Sequence, residues 1–359
     1  MASSRYLLAA LGLVAMLAGN ARAEETRLPC RQPQLAAADS GLYLACGAAP
    51  DSILVARSTD GAATFTRLTP ITVPGALALG NHRGPRVAAS GRAVLVSAIV
   101  GTPGAERGTS GNLMVWRSDD DGRTWSAPVV VNDVPNAARE GLHGMALQGN
   151  RASLLWLDLR TGRMRLMSAA STDGGRTWGP NRLAYDGSPV ICTCCHPSVL
   201  IAGSRVVAMF RNDLNGARDM YVIESTDGGT TWGDARRVGT GTWPITMCPM
   251  DGGAIALDRA GDVIATWRRE GTVYVGGVGR ETRVGDGVNP ALALAGNTPV
   301  VVWNASEGLA ARWGDNPPQR IATRGQFASA ASLPDPDRVV VAYEDGAETV
   351  VRVLAAPTS

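Results

Sequence analysis

The sequence has 359 residues, of which 45% are hydrophobic and 18% are charged, a balance typical of a folded globular chain rather than a disordered one. Its formal net charge of +2 excludes the strong basic field that attracts nucleic acids or anionic membranes. The 43 glycines and 21 prolines favour many short strands and turns over long helices.

The N-terminal segment has the pattern of a secretory signal. Arg5 is the only charged residue among the first 21, an apolar run occupies residues 6–17, and Ala21 and Ala23 are the small residues that a signal peptidase requires. The apolar run is too short to span a bilayer, and no later stretch is long and apolar enough. We therefore expect a signal peptide at residues 1–23 and one mature domain at residues 24–359, secreted or periplasmic, with no membrane span.

One eight-residue pattern occurs four times, three times in full and once in a degraded form. Each copy combines a serine, an aspartate and one or two glycines with a final aromatic residue, and each lies between two strand-like stretches. The side chains of Ser and Asp bond turn amides, glycine accepts a positive φ, and the aromatic ring covers the turn, so each copy predicts a hairpin. The copies are residues 58–65, 118–125, 171–178 and 225–232.

A second pattern, a short apolar stretch followed by a turn and a more apolar strand, occurs seven times between residues 33 and 342. The mean spacing of about 48 residues lies in the range of propeller blades. This predicts an all-β propeller of seven blades, with six blades as the alternative. The seventh unit lacks its fourth strand, and we expect residues 26–29 to supply it and close the ring.

These residues resemble the sialidase, or neuraminidase, superfamily of propellers with BNR (Asp-box) repeats, over nearly the whole mature chain. The resemblance implies an arginine that binds a carboxylate, a tyrosine nucleophile and an aspartate acid/base. Arg31, Gln32 and Pro33 resemble the Arg-x-Pro motif of the family, which makes Arg31 the candidate carboxylate ligand. Phe327 occupies the position that matches the catalytic tyrosine, and phenylalanine has no hydroxyl to form the glycosyl intermediate.

The loops expected on one face of the propeller carry a set of arginines with one histidine and one aspartate. Arginines of this kind bind anionic ligands through paired hydrogen bonds, or alternatively pair with neighbouring carboxylates, as Asp158 and Arg160 suggest. The candidate ligand-binding residues are Arg31, Arg86, His143, Asp158, Arg160, Arg211 and Arg268. If the protein is an enzyme, the candidate catalytic residues are Arg31, Asp158, Arg211 and Asp251.

Cysteines cluster in the loops that precede two adjacent blades. Thiolate, thioether and imidazole groups bind soft metals, so the cluster is a candidate site for Cu or Zn. The alternative is disulfide bonding in an oxidising compartment, with Cys248 joined to one member of the cluster and Cys30 joined to Cys46. The adjacent Cys194 and Cys195 could also pair with each other, under strain. The candidate metal ligands are Cys192, Cys194, Cys195, His196 and Cys248.

Three functions are consistent with these features. The first is a non-sialidase binding or accessory protein that uses these loops to hold a metal ion or a small-molecule or glycan ligand. The second is an exo-sialidase-like glycoside hydrolase acting on acidic sugars, as the resemblance implies. The third is a scaffold for a periplasmic protein partner. No feature of the sequence supports nucleic-acid binding.

Overall fold

The structure, a computed structural model, describes residues 25–49, 51–106, 108–187 and 191–357. The predicted signal peptide at residues 1–23 lies outside the described residues. No helix in the part of the chain that the structure describes is long and apolar enough to cross a bilayer.

Seven antiparallel sheets, each with an inner strand near a common axis, form the ring of a β-propeller. The first three blades run outward in chain order, and two short strands extend blades 1 and 2. Blade 1 contains β2 (Arg31–Ala38), β3 (Gly41–Ala49), β4 (Ser52–Ser58), β5 (Thr66–Arg67) and β6 (Ile71–Thr72). Blade 2 contains β7 (Ala76–Leu77), β8 (Arg86–Ser90), β9 (Ala93–Gly101), β10 (Asn112–Ser118) and β11 (Val129–Val130). Blade 3 contains β12 (His143–Gln148), β13 (Arg151–Asp158), β14 (Arg165–Ser171) and β15 (Arg182–Tyr185).

The remaining four blades each have four strands. Blade 4 contains β16 (Ser198–Ala202), β17 (Arg205–Arg211), β18 (Met220–Ser225) and β19 (Arg236–Arg237). Blade 5 contains β20 (Ala254–Leu257), β21 (Val263–Arg269), β22 (Thr272–Gly277) and β23 (Arg280–Asp286). Blade 6 contains β24 (Val288–Ala295), β25 (Thr298–Ala305), β26 (Gly308–Trp313) and β27 (Gln319–Ala322). Blade 7 contains β28 (Gln326–Ser332), β29 (Arg338–Asp345), β30 (Glu348–Ala355) and β1 (Thr26–Leu28).

The ring closes through its N-terminal strand, as the sequence predicts. Strand β1 pairs antiparallel with β30, with Thr26 opposite Val351 and Leu28 opposite Thr349. Directly after β1, a disulfide joins Cys30 to Cys46 of β3, as expected from the sequence. The N-terminal segment therefore belongs to blade 7 by hydrogen bonding and is covalently tied to blade 1 across the closure.

The hydrophobic core is divided among the interfaces between neighbouring blades. Seven clusters of buried apolar side chains fill these interfaces, including the one between blades 7 and 1. Trp156 and Trp303 are among the largest fully buried side chains. This packing holds the blades at fixed positions, so that loops distant in sequence meet at the axis.

The four repeated turns share one hydrogen-bond pattern. In the second copy, Ser118 Oγ donates to Asp120 Oδ1 at 2.7 Å and accepts the amide of Gly122 at 2.8 Å. Asp120 also accepts the amide and hydroxyl of Thr124 at 2.9 and 2.8 Å. These bonds to the ionised carboxylate lower the pKa of Asp120 to about 2, with the amide of Thr124 as the largest cause. Bonds from the side chain and then the amide of Thr64 lower the pKa of Asp60 to about 2 in the same way.

These depressed pKa values predict acid sensitivity. An aspartate with a folded pKa of about 2 and an unfolded pKa of about 3.9 stabilises the fold fully above the unfolded pKa. That contribution is lost as the pH falls from about 4 towards about 2. We expect the melting temperature to fall over this window, and an Asp120→Asn variant to start lower at pH 6 and to fall less steeply. If the melting temperatures of the two proteins fell equally between pH 5 and pH 2, this expectation would be contradicted.

Candidate functional site

The inner strands of all seven blades surround a cavity of about 220 Å³ on the propeller axis. Glycines permit the close approach of chains around this axis. A Cβ on Gly144 would lie 2.6 Å from the carbonyl oxygen of Pro197, and one on Gly252 would lie 2.1 Å from that of His196. The polar side chains that line the cavity are Gln32, Gln34, His82, Arg86, His196, Ser198 and Ser329.

Four non-glycine residues at or beside the cavity have left-handed backbone conformations. Gln32, His82 and Phe327 line the cavity with φ between 52° and 63°, and Asn289, next to His82, has a φ of 54°. Three of these four residues lie at register shifts, where β2, β24 and β28 begin. Left-handed non-glycine residues carry strain, and bulges of this kind redirect side chains near functional sites. The bulges turn the first side chains of the inner strands towards the axis.

Arg86 carries the positive charge of the cavity. Its Nη2 donates to the carbonyl of His82 at 2.6 Å, and its Nη1 donates to the carbonyls of Pro85 and Gly84 at 3.2 and 3.3 Å. Among the described residues, no carboxylate lies within ion-pair distance of this guanidinium. Burial lowers the pKa of Arg86 to about 10, which leaves it charged at neutral pH.

All three histidines of the chain surround this guanidinium in neutral form. Burial, then the charge of Arg86, holds the pKa of His143 well below its usual range. The pKa of His196 is likewise lowered by burial, then by His82 and by Arg86. Burial also lowers the pKa of His82, whose ring stacks on that of His196 at 4.6 Å. His143 is fully buried, with Nε2 at 2.9 Å from Ser97 Oγ, and supports the wall of the cavity from behind.

Phe327 lies at the cavity where the family resemblance places the catalytic tyrosine. Its ring meets that of His82 edge to face at 5.0 Å. The described residues lining the cavity include no tyrosine, aspartate or glutamate. The described lining therefore presents neither a phenolic nucleophile nor a carboxylic acid to this space.

Arg31, the candidate carboxylate ligand, is half exposed and bound to Glu344. Its Nε and Nη2 donate to Glu344 Oε1 at 2.8 and 2.6 Å, while the amide and side chain of Gln32 donate to Oε2 at 3.1 and 2.9 Å. Glu344 is fully buried and lies in β29, so this pair joins blade 1 to blade 7. No local pattern in the sequence points to this partner, which lies 313 residues from Arg31.

Five other candidates form two ion networks away from the cavity lining. Asp158 is fully buried and accepts hydrogen bonds from Arg160 and from Trp156 Nε1 at 2.8 Å. Arg160 also pairs with Asp133 at 2.9 Å, so Asp158 and Arg160 hold a corner of blade 3, in line with the carboxylate-pairing alternative. Neither Asp158 nor Arg160 lines the cavity.

The second network is centred on Asp251. Arg211 Nη2 and Arg268 Nη1 contact its two carboxylate oxygens at 3.2 and 3.5 Å, and the amide of Asn289 donates to it at 3.2 Å. Both guanidinium groups lie against the ring of Trp243, at 5.3 and 5.2 Å from its centroid. Arg211 and Asp251 are both fully buried and form an ion pair with each other.

The thiols of Cys192, Cys194 and Cys195 converge directly behind this network. Cys192 Sγ lies 3.5 Å from the sulfurs of both Cys194 and Cys195, and those two lie 3.9 Å apart. All three residues are buried and carry free thiols, and a turn at residues 193–195 brings them together. The amide of Cys192 donates to the carbonyl of Arg211 at 3.1 Å and anchors the turn to β17. We call these three residues the thiol trio.

Hydrogen bonding among the three thiols shifts their pKa values in opposite directions. The hydrogen bond with Cys194, then the one with Cys195, lowers the pKa of the Cys192 thiol, and Arg211 adds to this effect. The same contacts, Cys192 first, raise the pKa of Cys194, while burial chiefly raises that of Cys195. Burial opposes the charge of Arg211, but the nearby Cys195 and Asp251 raise its pKa overall.

His196 and Cys248, the other two candidate metal ligands, lie apart from the trio. His196 follows Cys195 directly and turns into the cavity, where its Nδ1 is buried. Cys248 is exposed and is a free thiol rather than the disulfide partner of a trio member. Met250 packs against the trio, with a left-handed φ of 64°. The run Met247-Cys248-Pro249-Met250 is the signal in the sequence that points to this thioether.

Comparisons with known proteins agree with the architecture. Residues 84–256 match the family model of the BNR repeat-like domain. No curated protein matches the chain. Among solved structures, the leech intramolecular trans-sialidase is similar, with a TM-score of 0.53 and 14% identity over 91% of this chain and 68% of that one.

The chain has the seven-bladed β-propeller fold of the sialidase type.

Two further solved structures extend the comparison. The Trypanosoma rangeli sialidase, bound to the inhibitor DANA, gives a TM-score of 0.52 at 15% identity over 90% of this propeller. The propeller spans 54% of the length of that sialidase. The α-L-arabinofuranosidase of Fusarium graminearum gives 0.50 at 13% identity, over 93% of this propeller and 92% of that enzyme. At these identities the similarity establishes the fold, and function depends on the site residues.

Proposed function

We propose that this propeller is an exported, non-hydrolytic accessory protein that binds a soft metal ion at the thiol trio. The observation that carries the proposal is the convergence of three buried, unbridged sulfurs within 3.9 Å of one another. Free buried cysteines usually act as small apolar residues, but three together at this distance form a ready-made thiolate set. The same three residues are the described group whose geometry could hold a metal ion.

The dimensions of the trio suit a metal. The point in the plane of the three sulfurs that is equidistant from them lies about 2.1 Å from each. A metal–thiolate bond is slightly longer, ~2.3 Å, so an ion bound to all three sulfurs would lie just out of their plane. Arg211, with its buried charge beside the trio, offsets the negative charge of the thiolates. No large rearrangement is needed for coordination.

Met250 favours Cu(I) over Zn. Its side chain packs against the trio and brings a thioether next to the three thiols. Thioether and thiolate are both soft ligands, and Cu(I) accepts them in three- or four-coordinate sites. Zn typically completes a tetrahedron with Cys, His or carboxylate, and His196 points away from the trio into the cavity.

The deciding experiment is an anaerobic titration of the reduced mature protein with Cu(I) held by the chelator bathocuproine disulfonate. The proposal expects one equivalent of Cu(I) to move to the protein, with a sulfur-to-copper charge-transfer band in the ultraviolet. A parallel titration with Zn tests the ion preference. Failure to take up either ion under reducing conditions would overturn the proposal, as would purification with all six cysteines in disulfides.

An acidic small-molecule ligand in the axial cavity is the second candidate, because Arg86 offers an unneutralised guanidinium there. The imidazoles of His82 and His196 and the side chains of Ser198 and Ser329 complete a described lining without carboxylates. The similar solved structures include glycoside hydrolases, which agrees with an acidic-sugar ligand as an alternative. Phe327 and the absence of a carboxylic acid among the described cavity residues favour binding over hydrolysis.

Arg86→Gln tests this second candidate. Loss of a charge-assisted hydrogen bond is worth roughly 1.5–3 kcal/mol, so we expect about 10- to 100-fold weaker binding of a small acid such as sialic acid or glucuronic acid. Calorimetric titration measures the affinity, and Arg86→Lys is the control that keeps the charge but loses the paired donors. Equal affinity in wild type and Arg86→Gln would place the ligand elsewhere, and turnover of a sialoside would support the hydrolase alternative.

A plain scaffold for a protein partner predicts neither metal nor acid binding.

A further inference from the structure

We propose that Met247 and Cys248 form a surface exchange pair through which Cu(I) passes between a sulfur-presenting partner and the buried thiol trio. This inference rests on the proposed function and adds the route by which the ion reaches a site that is closed to solvent. The partner is defined by its chemistry: a small protein or peptide that holds Cu(I) with thiolate or thioether ligands.

The two side chains of the exchange pair are both accessible. Met247 is 71% exposed, the largest exposure among the large hydrophobic side chains of the described chain. Its neighbour Cys248 is also exposed and carries a free thiol. An exposed methionine beside an exposed free cysteine presents two soft ligands to an approaching donor, whereas a purely structural role would bury at least one of them.

A shared guanidinium connects the exchange pair to the trio. Arg218 Nη1 lies 3.5 Å from Cys248 Sγ and 3.8 Å from Cys192 Sγ. Contact with Cys248, then the charge of Cys192, raises the pKa of Arg218 against the effect of burial. One guanidinium therefore lies within 3.8 Å of both the outer thiol of Cys248 and the nearest sulfur of the trio.

The loop that carries the exchange pair is held by hydrogen bonds and ion pairs at residues 249 and 251, directly after the two exposed residues. The carbonyl of Pro249 accepts a hydrogen bond from Arg268 at 3.3 Å, and Asp251 is held by two arginines. Met250, between them, packs on the trio. Successive residues 247 to 250 thus pass from solvent to the buried sulfurs, and three of the four carry soft ligands.

The transfer is a ligand exchange without electron transfer. Copper stays Cu(I) throughout. Cys248 binds the incoming ion as a thiolate and releases its proton to solvent, while the partner thiol that leaves the ion takes up a proton. The trio then displaces Cys248, which regains a proton as the trio loses one.

Stopped-flow transfer of Cu(I) to and from glutathione tests the route, with the charge-transfer band as the readout. We expect Cys248→Ser to keep one equivalent of Cu(I) and an unchanged equilibrium affinity, but to slow transfer in both directions by at least about tenfold. Met247→Leu should slow transfer less. Met114→Leu, which removes a thioether packed in the core between blades 1 and 2, is the matched control and should transfer at the wild-type rate.

The outcomes separate this inference from the proposed function. If wild type takes up no metal, the proposed function fails. If Cys248→Ser loads fully and transfers as fast as wild type, the metal site stands and the exchange pair is overturned. If Cys248→Ser instead loses the bound equivalent, Cys248 is a resident ligand rather than an exchange ligand, and the inference is likewise overturned.

Discussion

Serine at any one of positions 192, 194 and 195 is expected to weaken Cu(I) binding by more than about 100-fold, because loss of an outer-shell partner alone typically reduces metal affinity 10- to 100-fold. Each substitution removes one of the three sulfurs that lie within 3.9 Å of one another. Competition with a Cu(I) chelator of known affinity measures the change. The three variants should lose affinity to a similar degree, because each sulfur contacts the other two.

Controls separate lost coordination from lost folding. Hydroxyl and thiol are similar in size, so we expect circular dichroism and the urea midpoint of each apo variant to stay close to wild type. Met114→Leu again controls for the removal of sulfur at a distance from the site. Wild-type affinity in two or more of the serine variants would contradict the assignment of the trio.

Asp251→Ala should produce the largest loss of stability of any single substitution near the site. Asp251 is fully buried and neutralises Arg211, which is equally buried, together with Arg268. Removing one partner of a buried ion pair leaves an uncompensated charge and typically costs about 3–5 kcal/mol. Urea denaturation of the reduced apoprotein should show a fall of this size in the free energy of unfolding.

The neighbouring variants sharpen this result. Asp251→Asn keeps the acceptor oxygen but not the charge, and should fall between wild type and alanine. Asp315→Ala removes the partner of Arg312 at a fully exposed position, where surface ion pairs contribute little, and should leave the midpoint unchanged. A loss below about 1 kcal/mol in Asp251→Ala would mean that water or another anion compensates Arg211, and would contradict the role of Asp251 as its buried counter-ion.

The sequence predicts the ring because its signals are local and repeated. The four Asp-box turns, the seven strand pairs and the missing fourth strand of the last unit each depend on residues close together in the chain. The closing strand β1 and the Cys30–Cys46 disulfide, both expected from the sequence, are confirmed. The six-bladed alternative is wrong, since seven separate sheets are present.

The site is harder to predict because its pairings are long-range and its side-chain directions are set by turns. Cys195 and His196 are adjacent in sequence, but their side chains point in different directions. Cys195 joins the trio, whereas His196 lines the cavity. The ligand-binding role of the arginines stays a prediction, although most have carboxylate partners. Arg31 pairs with Glu344, 313 residues away in the sequence, and Arg211 pairs with Asp251, 40 residues away. At such separations no local pattern in the sequence identifies the partner.

The central claim is that the trio binds a metal through sulfur, and X-ray absorption at the copper edge of the loaded protein tests it most directly. We expect a Cu(I) edge and a first shell of about three sulfurs near 2.3 Å. A first shell of nitrogen and oxygen atoms, or copper bound while the three thiols still react with a thiol reagent, would contradict the claim.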